Sequence, residues 1–446
     1  MPPPGPASTA WLERLRRVES ANVTAIGAEF PVVWQRARGP VVQDVDGNRY
    51  LDAGSSFGVA LIGHGHDAVR AAVHAQTEAL LHGMGDVHPP TVRIELLEAL
   101  QAAAPGDLGH GVLCTGGSEA VEVALKTALL ATGKPGILAF DGGYHGLSLG
   151  ALGGTHRADF RAPFAPWLPG PTRFLPFPRA NPLDPAQAER DLAATLAAAE
   201  AALLAPGANV GAVLVEPLQG RGGTVVAPRG LLAGLRALCD RAGALLIFDE
   251  IFTGCGRTGA MFACEHEGVL PDLLCVGKAL GGGLPIAACL GRPAAMAAWG
   301  PSTGEALHTS TFLGHPLASA AALATLGVLA DEQVPERAAH DGLRWASELQ
   351  RALADHPAVA QIRGKGLMWG IELRSAGERS GGALAWQVVL GCLRRGVLAL
   401  PCGPAGDVIQ LTPPVCTSAT QRAFVVATLA DAVDEAHVRA RRGEAP

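Results

Sequence analysis

Ala244-Leu-Leu-Ile-Phe-Asp249-Glu250 and Asp272-Leu-Leu-Cys-Val-Gly-Lys278 are the two stretches whose reading decides the fold. Both are unbroken apolar runs, without the alternation of a half-exposed strand. Such runs suit strands covered on both faces of a mostly parallel sheet. Working outward, the same texture recurs at 111–115, 136–140, 210–215 and 286–290. Helical patterns lie between, at 118–132 and 230–242, and the alanine-rich residues 180–207 add one more. Strand and helix alternating over residues 66–330 predict a large α/β domain with helices flanking its sheet. Residues 1–65 read as an N-terminal arm and a hairpin that turns at Asp46-Gly-Asn48. Residues 331–446 run helix, strands around Ala358–Arg374, then helix. They predict a smaller α+β domain, to which the N-terminal hairpin adds.

Composition excludes several function classes. Charged residues make up 17% of the chain against 48% hydrophobic, the balance of an ordered core and not of a disordered chain. A formal net charge of -6 with no basic run argues against a nucleic-acid partner. Gly, Pro or charge breaks every apolar stretch before about 18 residues, so no membrane span is expected. Nine cysteines without a CxxC pair lie mostly in apolar runs. Buried thiols of a cytoplasmic protein are therefore expected, and neither disulfides nor a zinc site. The opening Met1-Pro-Pro-Pro-Gly-Pro6 has no charged segment followed by an apolar one and does not read as a signal peptide.

Lysine is scarce, and its placement points to chemistry. Of the four lysines, Lys126 lies in a helical run, Lys134 in Gly-Lys-Pro-Gly and Lys365 in Gly-Lys-Gly, and these three read as solvated charge. Lys278 instead follows an apolar strand, and Asp249 ends another. That pair suits pyridoxal phosphate: the amine bonds to the aldehyde, and the carboxylate pairs with the protonated pyridine nitrogen. Thr115-Gly-Gly-Ser118 leaves a strand and opens a helix, where free N–H groups and the helix dipole attract a phosphate. Ser118 is expected to cap that helix and to offer its hydroxyl. Taken singly, the turn reads more readily as a plain N-cap than as a phosphate site, and Asp249 also reads as a carboxylate satisfied by a helix N-terminus or an arginine. Together the three suit one molecule with a phosphate, an aldehyde and a basic ring nitrogen. A nucleotide-hydrolysing reading of the Asp249-Glu250 strand fails, because Leu125 precedes Lys126 where a phosphate loop requires Gly. No GxGxxG opens a helix with an acid downstream, so a dinucleotide site is also excluded.

Longer segments carry a family resemblance over nearly the whole chain. They are Asp44-Val-Asp-Gly-Asn-Arg-Tyr-Leu-Asp52, Thr115-Gly-Gly-Ser-Glu-Ala-Val-Glu-Val-Ala-Leu-Lys126, Tyr144-His-Gly146 and Val215-Glu-Pro217. Further matches are Phe248-Asp-Glu-Ile-Phe-Thr-Gly-Cys-Gly-Arg-Thr-Gly259, Gly277-Lys-Ala-Leu-Gly-Gly-Gly-Leu-Pro285 and His308-Thr-Ser-Thr-Phe-Leu-Gly-His-Pro-Leu-Ala318. The chain resembles the class III, ω-amino acid type aminotransferases of pyridoxal phosphate fold type I. The resemblance implies that Gly117 and Ser118 bind the cofactor phosphate, with Thr311 reaching it from the partner subunit of a homodimer. It implies that Tyr144 and Ile251 cover the two ring faces, Asp249 pairs with the ring nitrogen, and Lys278 holds the aldehyde carbon and carries the proton. The substrates so implied are a small-molecule amine donor and a carbonyl acceptor.

Departures from the family pattern bear on substrate. Gln410, in Ile409-Gln-Leu-Thr-Pro-Pro-Val415, stands where many members carry a carboxylate-binding arginine. Arg221, in Glu216-Pro-Leu-Gln-Gly-Arg-Gly-Gly223, stands where many carry that arginine's glutamate partner, and Phe252 where a glutamine often contacts the cofactor. Arg221 reads either as a relocated anion site, for a carboxylate or a sugar phosphate, or as a surface or interface salt bridge. The pattern suggests a specialised transaminase acting on an aminosugar in aminoglycoside antibiotic biosynthesis, of the gentamicin type. Elimination, deoxygenation or epimerisation on an aminosugar, a 4-aminobutyrate-like ω-transaminase, and a non-catalytic binding protein of the same fold are the alternatives.

Overall fold

The computed structural model describes residues 2–444. The chain divides into two compact units, one of residues 67–340 and one that joins the segment up to His66 with the segment from Asp341 onward. The larger unit holds a seven-stranded sheet. In spatial order its strands are His110–Cys114, Ala287–Gly291, Leu273–Val276, Leu245–Asp249, Val210–Val215, Gly136–Phe140 and Thr172–Leu175. Among the described residues, only Ala287–Gly291 runs antiparallel to its neighbours. The two decisive stretches are adjacent strands, with Asp249 paired to Cys275. That register brings the carboxylate and the lysine three residues beyond Cys275 to the same end of the sheet.

Helix Gly117–Thr132 shows how such a sheet is covered. Its Ala120, Val121, Val123, Ala124 and Ala128 are buried against strand residues that include Leu214, Ile247, Leu273 and Cys289. Small side chains on the helix let it approach closely, while β-branched and leucine side chains fill the sheet face. Truncating a fully enclosed leucine such as Leu214 to Ala costs about 2–5 kcal/mol in cores of this kind. Strand Thr172–Leu175, at the sheet edge, has no counterpart in the sequence reading. Its run Thr-Arg-Phe-Leu is short and half polar, because an edge strand is covered on one side only.

The smaller unit contains two sheets. The hairpin Val41–Asp44 and Arg49–Asp52 pairs with Trp34–Arg38 on one side and with Val397–Leu398 on the other, so strands from both ends of the chain share a sheet. Asp44 organises its turn by accepting from the Asn48 and Asp46 backbone N–H groups and from the Tyr50 hydroxyl. The second sheet orders Val359–Lys365, Met368–Leu373, Val408–Leu411 and Leu400–Cys402, all antiparallel.

Within the N-terminal arm, ahead of the hairpin, lies a helix, Pro6–Val18. The Asp46 carboxylate accepts its Ala7 and Ser8 N–H groups at 2.7 and 2.8 Å. A cap donated from that far along the chain leaves no local signal. All nine cysteines are free thiols, and eight are buried. Among the described residues no single helix is long and apolar enough to cross a membrane.

Candidate active site

Asp249 ends its strand nearly fully buried, at 4% exposure. Its Oδ2 accepts from His145 Nδ1 at 2.8 Å and its Oδ1 from the Ile251 N–H at 3.1 Å. Neither a helix N-terminus nor an arginine supplies its partners. His145 is itself buried and belongs to the Tyr144-His-Gly146 loop that follows strand Gly136–Phe140. Lys278 begins a short 3-10 turn, Lys278–Gly281, with φ +44, a left-handed conformation that costs a non-glycine residue energy. Its Nζ lies over the Phe252 ring, 4.2 Å from the centroid. Burial pulls the pKa of this amine down, with the Asp249 and Glu216 carboxylates opposing. The neutral amine is thereby made more accessible.

Gly117, Ile251 and Gly277 meet between the lysine and the helix start. A Cβ on Gly117 would come within 2.9 Å of Ile251 Cδ1, and one on Gly277 within 3.5 Å of Ile251 Cγ2. The helix cap is Gly116, without any side-chain hydrogen bond, so Ser118 lies in the first turn and does not cap it. The first-turn N–H groups are thus left for another acceptor, and the Ser118 hydroxyl is directed elsewhere. Gly146 faces that hydroxyl: a Cβ there would sit 2.2 Å from Ser118 Oγ, and its φ of +119 also requires glycine.

Pyridoxal phosphate fits these residues. An uncapped helix start with a serine in its first turn suits the phosphate. A buried carboxylate suits a protonated ring nitrogen, and an amine set over a ring, with no hydrogen-bond acceptor among the described residues, suits an aldehyde carbon. Tyr144 and Ile251 are both half-buried here.

The remaining sequence-derived candidates fall in different places. Arg221 is half-buried in the larger unit, its guanidinium carbon 5.9 Å from the Tyr144 ring centroid. It makes no ion pair among the described residues, so it is not a salt bridge within this chain. Gln410 is buried in the smaller unit, on strand Val408–Leu411 opposite Gly370 and Leu400. Thr311 is exposed on the loop ahead of helix Pro316–Asp331. Of the lysines set aside, Lys126 and Lys365 are exposed, but Lys134 is half-buried and donates to the Ala242 carbonyl at 2.9 Å.

Two residues escaped the sequence reading as functional groups, although both lie in quoted motifs. His145 is one, and Glu216 is the other. Glu216 is 6% exposed, and its two oxygens accept from the Tyr144 and Gly220 N–H groups at 3.0 and 2.8 Å. Burial raises its pKa to about 7, against the lowering effect of His145. Its signal was the one that marked Asp249: an acid directly after an apolar strand.

Comparison with known proteins shows the family. The class III aminotransferase family model matches residues 23–433. The chain belongs to that family. It is 37% identical over 409 residues to an acetylornithine aminotransferase of Methanopyrus kandleri, covering 91% of this chain and 95% of that one. An (S)-enantioselective ω-transaminase from Thermomicrobium roseum superposes with a TM-score of 0.88 at 29% identity, covering 96% of this chain and 99% of that one. An amine transaminase from an uncultivated Pseudomonas species, solved in its PLP-bound form, gives 0.84 at 30% identity, covering 95% and 99%. This class III aminotransferase is a pyridoxal phosphate enzyme of fold type I that moves an amino group between an amine and a carbonyl compound. The relatives give the aminosugar expectation no support.

Proposed function

We propose that the enzyme is an ω-amino acid type transaminase whose substrates carry a carboxylate, and that Arg221 binds it. The observation that carries this reading is the Arg221 guanidinium beside Tyr144, with no ion pair to a carboxylate among the described residues. A guanidinium presents a planar fork that matches a carboxylate. The names of the acetylornithine and ω-transaminase relatives are consistent with it.

Pyridoxal phosphate, when bound, supplies an aldehyde that takes up the amino group and a ring that draws off charge from the substrate carbon. The chain's residues do the rest. Lys278 Nζ, whose pKa is pulled down by burial, takes the proton from the substrate carbon and later returns one. Asp249 keeps a proton on the ring nitrogen, and His145 Nδ1–H orients that carboxylate. The Gly117 and Ser118 turn holds the phosphate, and Tyr144 and Ile251 fix the ring between them.

Thr311 would complete the phosphate site of the partner subunit in a homodimer. Around it, Leu80, Leu81, Met84, Val87, Leu307 and Phe312 are exposed, and Thr309 bonds Asp86 to tie the two segments together. A second copy would cover that apolar surface.

The test of the substrate reading is Arg221→Ala. The apparent affinity for 4-aminobutyrate, N-acetylornithine and glutamate should fall by roughly 10- to 150-fold, as for a lost charged hydrogen bond. A neutral amine such as 1-phenylethylamine should change far less. Equal losses on both, or faster turnover of aminosugar aldehydes than of any carboxylate substrate, would sink the reading.

A further inference from the structure

We propose that Glu216 is a positioning residue for substrate carboxylates: it ties the turn carrying Arg221 to the backbone of Tyr144 and so holds the guanidinium at one place beside the ring. The inference rests on the anion-binding reading of Arg221. Strands Gly136–Phe140 and Val210–Val215 are neighbours, and each is followed by a loop that contributes to the site. Tyr144 lies on the first loop and Arg221 on the second. One carboxylate spans them, Oε1 accepting from the Tyr144 N–H and Oε2 from the Gly220 N–H, the residue before Arg221. Burying a carboxylate costs several kcal/mol unless its oxygens are filled, so its presence here needs a return.

Two more contacts make the same junction. Gln219 Nε2 donates to the Asp141 carbonyl at 2.7 Å, again joining the second loop to the first. Gly222 packs against Gly142, where a Cβ would come within 2.6 Å of the Gly142 carbonyl oxygen. The turn is closed on itself as well, the Gly223 and Thr224 N–H groups both reaching the Gly220 carbonyl. Arg221 is therefore a long side chain on a fixed backbone, which leaves only its own rotamers to be ordered when an anion binds.

The experiment uses the cofactor-loaded enzyme and glutarate, a dicarboxylate that cannot react, with binding read by calorimetry. R221A should weaken glutarate at least about tenfold, and E216Q roughly tenfold, because the amide fills only one of the two N–H groups. In the double variant E216Q should add less than about twofold to the effect of R221A, since it acts through that arginine. An equal further loss in the R221A background, or no change in E216Q beside a clear loss in R221A, overturns the positioning role alone. No loss in R221A overturns the anion reading and this inference with it. If E216Q does not fold or load cofactor, Q219A cuts the second tether, and the same pattern against R221A is expected; its absence overturns the proposal.

Discussion

Asp249 and Glu250 are consecutive acids at the end of one strand, yet the regions on either side of that strand end treat them in opposite ways. Successive side chains of a strand leave it on opposite faces. On one face, Asp249 meets His145 and the Ile251 N–H, near an amine with no hydrogen-bond acceptor among the described residues. On the other, Glu250 is fully enclosed and accepts from the Thr253 hydroxyl and the Ala263 and Cys264 N–H groups. The second region closes a loop around a carboxyl group held by three donors. In the first, partners are left over, and that is where a ligand can be bound and changed.

Lys278→Ala offers the largest effect with which to break this contrast. Turnover should fall by at least about 10³-fold, since both the covalent anchor and the proton carrier are removed. Borohydride reduction of the native holoenzyme followed by peptide mapping should place the cofactor on Lys278; a label on Lys126, Lys134 or Lys365 would refute the assignment. Next is Asp249→Asn, which should keep cofactor and fold while losing about 10²–10³ in turnover, the worth of a preorganised charge in a water-poor site. A variant within a few-fold of wild type in a single half-reaction would show that the open region does not depend on this carboxylate.

The smallest effect belongs to Glu250, and it should appear in stability. Burial raises its pKa from 4.5 to about 7. Between those values the folded chain holds a proton that the unfolded chain has released. Its contribution is thus fully present below about pH 4.5 and is lost as pH rises through 7. Melting curves of wild type against Glu250→Gln from pH 5 to 8 should show wild type losing ground by up to about 3 kcal/mol. A difference independent of pH would mean that the carboxylate stays ionised throughout.

The sequence alone determined the parallel sheet, because strands covered on both faces must be apolar throughout, and the runs ending at Asp249 and preceding Lys278 are. It also marked those two residues, since a charge directly after such a run is costly unless it has a task. Short edge strands such as Thr172–Leu175, the helix capped from Asp46, and the partners His145 and Glu216 were not legible as such. Each depends on a contact between segments far apart in the chain, and local pattern carries no trace of the other half. Arg221 is the clearest case. Its sequence left anion site and salt bridge open, and only the tertiary structure shows that it lies beside Tyr144 and forms no ion pair among the described residues.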